Sequence, residues 1–130
     1  MKKKIFIGLT CVFLMSLFMI QVYAAETPYV IARLGKNASV AYSPEVQGTH
    51  KFFDGTNRAD SAVLVYFSAQ RKVGIAFVTD TQKSVKPGNA LPPVLTNFTS
   101  KEVSWRLKLN PSGAKQKDCY AVGYMWYEMK

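Results

Sequence analysis

Catalytic side chains are scarce in this chain. His50 is the only histidine among 130 residues. That excludes histidine-rich metal sites and mechanisms built on paired imidazoles. A lone histidine still fits a Ser-His-Asp arrangement, but no G-x-S-x-G elbow is present, and neither Ser61 nor Ser68 has a nucleophile's context. His50 reads as a surface loop residue. The eight carboxylates are dispersed, and no two stand out as a glycosidase-like pair. "DGTNRAD" groups Asp54, Asn57 and Asp60, an oxygen-rich set that would suit calcium. It lacks the EF-hand pattern and reads as an Asx-rich turn. No cofactor or metal site is expected. Helical periodicity, internal repeats and low-complexity tracts are also missing.

Cysteine is nearly absent. Cys11 falls in the N-terminal stretch "MKKKIFIGLTCVFLMSLFMIQVYAA", where Lys2, Lys3 and Lys4 precede an apolar run and Val22 and Ala24 supply the small-residue exit. This is the layout of a secretory signal peptide (residues 1–24) cleaved after Ala24, with Ala25 the runner-up. An uncleaved anchor is the alternative, since residues 5–25 are apolar enough to span a bilayer. Either way the remaining residues, 25–130, are expected outside the cytoplasm as a single domain. Cys119 is then the one mature cysteine, so no internal disulfide forms. It begins an apolar strand, where a buried, inert thiol is the commoner case, though an odd cysteine also leaves room for a homo-oligomer. The lack of disulfides fits a bacterial secreted protein.

Charge of negative sign is in short supply. The formal +9 falls to +6 without the three leader lysines. Outside a cell, such a surface points to an anionic envelope polymer or a membrane surface rather than nucleic acid.

The pattern of strands and turns predicts an all-β fold, a small antiparallel β-sandwich, with a small barrel as the alternative. "YVIARL" (29–34) is a strand, and 38–42 is expected to pair with it as a hairpin. Residues 47–60 look irregular, with Phe52 and Phe53 pinned beneath a loop. "SAVLVYF" (61–67) reads as a central strand, followed after a turn at 68–71 by a strand over 72–79. The proline-rich 84–100 reads as a surface connection between layers. "EVSWRLKL" (102–109) alternates, with Val103, Trp105, Leu107 and Leu109 on one face. Residues 119–127 close the sheet.

Two sets of residues are candidates for binding. Arg106, Lys108, Lys115 and Lys117, with Lys101 ahead of them, would gather on one side of a hairpin; a protective, solvated edge is the competing explanation. In the last strand, Tyr120, Tyr124 and Trp126 share a face. The expectation is that this face packs inward on Trp105; turned outward, it would be a platform for sugar rings or an interfacial anchor.

The lysine-rich leader, the size of the β domain and the ending "YAVGYMWYE" together resemble small secreted proteins of Gram-positive bacteria, some grouped with lactococcin-like bacteriocins. The resemblance implies a secreted antagonist and carries no site residue. The expected function is a non-enzymatic protein that binds an anionic envelope component through its basic residues. The alternative is an inhibitor or immunity-type protein with a protein target, engaged through 84–100. A glycan-degrading enzyme using Asp54 and Asp60 ranks third.

Overall fold

The computed structural model describes residues 29–127; the expected leader lies outside them. Within the described residues, nine strands form two antiparallel sheets packed face to face, so the fold is a β-sandwich. The first sheet contains β1 (Tyr29–Leu34), β9 (Ala121–Trp126), β4 (Phe52–Asn57) and β7 (Ala90–Leu95), in that order. The second runs β2 (Ala41–Tyr42), β8 (Val103–Pro111), β5 (Val65–Val73) and β6 (Ala76–Val85). A short β3 (Val46–Gly48) also pairs with β8.

Alternation decides which side chains enter the core. On β8, Trp105, Leu107 and Leu109 are fully buried while Arg106 and Lys108 lie outward and half-covered. β5 contributes Val65, Phe67 and Ala69. The first sheet answers with small or flexible residues on β9 (Ala121, Gly123 and Met125) plus Phe53 from β4. Each fully buried large apolar side chain contributes about 1.5–3 kcal/mol relative to exposure.

Several local expectations are corrected. Residues 38–42 do not form a hairpin with β1; the chain crosses to the second sheet, and Ala41 and Tyr42 pair with Leu109 and Lys108. Ser43 then holds the edge to β8 where strand pairing is interrupted around Pro44. Its N–H donates to Leu107 O at 2.9 Å, and its hydroxyl accepts the Leu107 N–H at 2.8 Å. The segment 47–60 is not irregular: it holds β3 and the internal strand β4, and Phe52 lies on the outer face rather than under a loop. The central strand begins at Val65, not Ser61, and continues through the expected turn at 68–71. Ser68 and Gln70 look turn-like, yet they sit on the ladder, bonded to Gln82 (2.8 Å) and Thr79 (3.5 Å) on β6. The turn falls at Gly74–Ile75. Gly74 has φ +65° and Ile75 does not share it, the pattern of a two-residue type II′ hairpin with glycine first. The 84–100 segment does pass between layers, but it contains β7, with Pro92 and Pro93, on a sheet edge where proline is tolerated.

Candidate functional site

β8 has nine residues, so its two ends stand about 27 Å apart at a rise of roughly 3.4 Å per residue. This length divides the expected basic cluster. Lys101 precedes β8 at one end of the sandwich, and Lys115 and Lys117 follow it at the other. The far loop also draws in Lys36, whose carbonyl accepts the Asp118 N–H at 2.9 Å. Arg106 is held on the outer face of the second sheet. Its guanidinium lies between the rings of Tyr42 (4.1 Å) and Phe77 (4.0 Å), and its Nε donates to Gln70 Oε1 at 2.8 Å. Lys108 lies beside it, opposite Tyr42 and Ser68. The four cations therefore form no single patch.

The aromatic face of β9 points outward, against the expected packing on Trp105. The core has no room for it: Phe67, Trp105 and the leucines of the second sheet fill that space, and the Gly123 face of β9 accommodates them. Outside, β9 lies between β1 and β4, which aligns Trp126 with Tyr29 and Phe52, and Tyr124 with Ile31 and Asp54. The Phe52 and Trp126 rings stack at 6.1 Å, and Tyr29 and Tyr124 meet at 6.0 Å. Tyr120 lies further down, its ring covered by the Arg58 guanidinium at 4.3 Å. Tyr29 and Phe52 were missed in the sequence, and Asp54 was singled out only for calcium or for glycan cleavage, not as part of this face. The doublet Phe52-Phe53 preceding Asp54-Gly55 was the available signal, because alternation requires one phenylalanine to face out.

The calcium set and the thiol–imidazole pair lose their geometry. Asp54 faces outward, whereas Asn57 is buried and its amide donates to Val63 O and Val85 O. Asp60 is engaged by Arg58 at 2.7 Å. Among the described residues no group of three His, Cys, Asp or Glu side chains could hold a metal. Cys119 is buried, with its Sγ near Val63 O. It precedes β9, whereas His50 lies near the other end of that strand, stacked on Phe98 at 4.2 Å, so the two form no thiol–imidazole pair.

The end of the sandwich that holds His50 carries two features. The first is a cavity of about 350 Å³ bordered by Gln47, Thr49, His50, Glu102 and Tyr127. Lys51 in its wall is fully buried, donates from Nζ to Gln47 O at 2.7 Å and lies 4.7 Å over the Tyr127 ring. Burial lowers its pKa from 10.5, with Glu102 opposing the shift. The unfolded chain thus holds a proton that the folded one releases at a lower pH. Stability is expected to rise with pH through the alkaline range below 10.5 and then level off. Urea midpoints measured across that range should lose this rise in Lys51→Met.

The second feature is the β5–β6 turn. One side of the hairpin carries Val73, Ala76 and Val78, with Arg71 opposite Val78, and the other pairs Phe77 with Lys72. Ile75 at the tip is 99 % exposed and Val73 is 51 % exposed. Lys72 and Arg71 follow on β5, and Arg71 pairs at 3.4 Å with Asp80, which also accepts the Asn97 N–H at 3.0 Å. This anchors the next loop, where Phe98 is 65 % exposed.

These elements define a two-sheet β-sandwich with an apolar, cation-flanked pole and an aromatic outer face. Neither a family model nor a curated protein matches the chain. Among solved structures it is similar to PirA, with a TM-score of 0.45 and 9 % identity over 77 % of this chain and 93 % of that one. It is also similar to the Yersinia pseudotuberculosis-derived mitogen, with a TM-score of 0.45 and 8 % identity over 80 % and 87 % of the two chains.

Proposed function

We propose that the chain is a secreted, non-enzymatic protein that docks on an anionic envelope surface, the first step of a bacteriocin-like antagonist. The observation that carries this reading is the β5–β6 tip, where a wholly exposed Ile75 sits beside Val73 and above Lys72. An isoleucine at a tight turn gains nothing from water, and contiguous exposed apolar surface marks an interaction site. Immersed at headgroup level, Ile75 and Val73 would each contribute up to about 1.5–3 kcal/mol. Nearby cations add about 1 kcal/mol apiece against an anionic leaflet. A hydrophilic wall polymer would leave the tip in water, so lipid is the favoured component.

The test is co-sedimentation with phosphatidylglycerol vesicles, with phosphatidylcholine vesicles and purified anionic wall polymer as comparisons. Ile75→Asp is expected to weaken binding to the anionic vesicles roughly thirtyfold, the equivalent of about 2 kcal/mol. Reversing Lys115 and Lys117 should change little, because they lie well beyond a Debye length of about 8 Å from the tip. Equal binding by wild type and Ile75→Asp, or retention on wall polymer alone, would overturn the proposal.

A further inference from the structure

On the outer face of the first sheet, three features converge. β1, β9 and β4 present it side by side on the side away from the other sheet, and Tyr29 and Tyr124 on it are exposed. Two ring pairs lie across those strands, Tyr29 with Tyr124 and Phe52 with Trp126, the latter inclined by only 19°. Beside them, in register with Tyr124, stands Asp54. It is half-buried, and burial alone raises its pKa; no neighbouring charge contributes. A carboxylate set among rings, with no cation beside it among the described residues, is a strong acceptor awaiting donors.

We infer that this face is a binding platform for an oligosaccharide of equatorially linked pyranose rings, with Asp54 accepting hydroxyl hydrogen bonds. The chemistry separates this ligand from its competitors. Aromatic faces carry the negative part of the ring quadrupole. Equatorially linked pyranoses present flat C–H faces that stack on them and hydroxyls around the rim that donate to a carboxylate. An anionic lipid headgroup would meet the like charge of Asp54, and an acyl chain would bury that carboxylate unpaired. A polyproline segment would stack on the rings but has no N–H to offer Asp54. Exposed Thr56 and Arg33 flank Val122 in the next row, placing polar groups along one border of the stacking surface.

This site is independent of the apolar hairpin, and one experiment tells them apart. The protein has two tryptophans; Trp105 is fully buried, whereas Trp126 lies in the platform. Emission is titrated with cellohexaose and with chitohexaose, and with maltohexaose and a proline decapeptide as controls. At least one equatorially linked hexasaccharide is expected to change the emission saturably at millimolar concentration or below. Asp54→Asn and Tyr124→Ser, both at positions outside the core, should each weaken that binding about tenfold or more, the first through loss of a charge-assisted hydrogen bond and the second through loss of a stacking ring. Ile75→Asp should leave it unchanged while weakening vesicle binding about thirtyfold. Absence of any response to both equatorially linked sugars, undiminished binding in Asp54→Asn, or a response to the proline peptide alone would overturn the assignment.

Discussion

Gly55→Ala is expected to destabilise the fold by about 3 kcal/mol or more, beyond the usual range for overpacking. Gly55 lies opposite Gly123 where β4 and β9 pair, under the ring of Phe67 from the second sheet. A β-carbon at Gly55 would overlap the Phe67 ring and the Val122 carbonyl oxygen and stand 3.0 Å from the Gly123 Cα. Phe67 is fully enclosed and the other two obstacles are backbone in the middle of a sheet, so none of the three can turn aside. Gly123→Ala is the informative comparison. Its β-carbon would meet Leu107 Cδ2 at 2.5 Å, with Leu109 Cδ2 and Phe67 Cε2 at 3.2 Å. Those are ends of side chains, which can change rotamer, so the cost should fall to about 1–3 kcal/mol. Adding Leu107→Val should recover part of the loss in Gly123→Ala and none in Gly55→Ala. Urea midpoints with unchanged m-values measure both; equal costs for the two alanines would show that the backbone contact is not what requires glycine at 55.

The same geometry explains why the last strand turned its rings outward. The aromatic content of 119–127 is plain in the sequence, as is the division into one small face and one wide one. The sequence of a single strand does not say which face meets the other sheet, because that depends on volume supplied elsewhere. Here Phe67, Trp105, Leu107 and Leu109 already fill the interlayer space, so the partner strands must present small residues. Gly55 and Gly123, opposite each other, were the legible clue: two glycines in neighbouring strands mark a close approach.

Other features were legible to differing degrees. β8 announced itself because its inward and outward residues differ sharply in polarity, and all three central inward residues are fully buried. The β5–β6 boundary was displaced because Ser68 and Gln70 are polar residues satisfied within the ladder by Gln82 and Thr79, while the apolar Ile75 occupies the turn. Hydrophobicity pointed the wrong way at both places; only Gly74 carried the correct signal, through its positive φ. The basic residues were visible one by one, but their grouping was not. A strand between them converts nearness in sequence into separation in space, and Arg106 is clamped by Tyr42 and Phe77, partners far away in the chain.

Trp105→Ala is expected to cost about 3–5 kcal/mol, the range for deleting a large aromatic side chain from a core. Trp105 is fully buried, faces inward from β8 and is paired with Val46 on one side and Arg71 on the other. It therefore joins the short edge strand β3 to the centre of the second sheet. Its Nε1 donates to Gly48 O at 2.8 Å, at the end of β3 and shortly before the buried Lys51 in the chain. Trp105→Phe separates the two roles. It retains most of the apolar volume but leaves the Gly48 carbonyl without its donor, a loss of about 1–3 kcal/mol. The alanine variant should lower the global urea midpoint, since the cavity is felt by both sheets. The phenylalanine variant should show its main effect locally, as faster amide exchange at residues 46–48 and a weaker pH dependence from Lys51, whose Nζ partner Gln47 lies in β3. Were the two variants to lose equal stability with no change in exchange at β3, the indole hydrogen bond would have no part in holding that edge, and packing alone would account for Trp105.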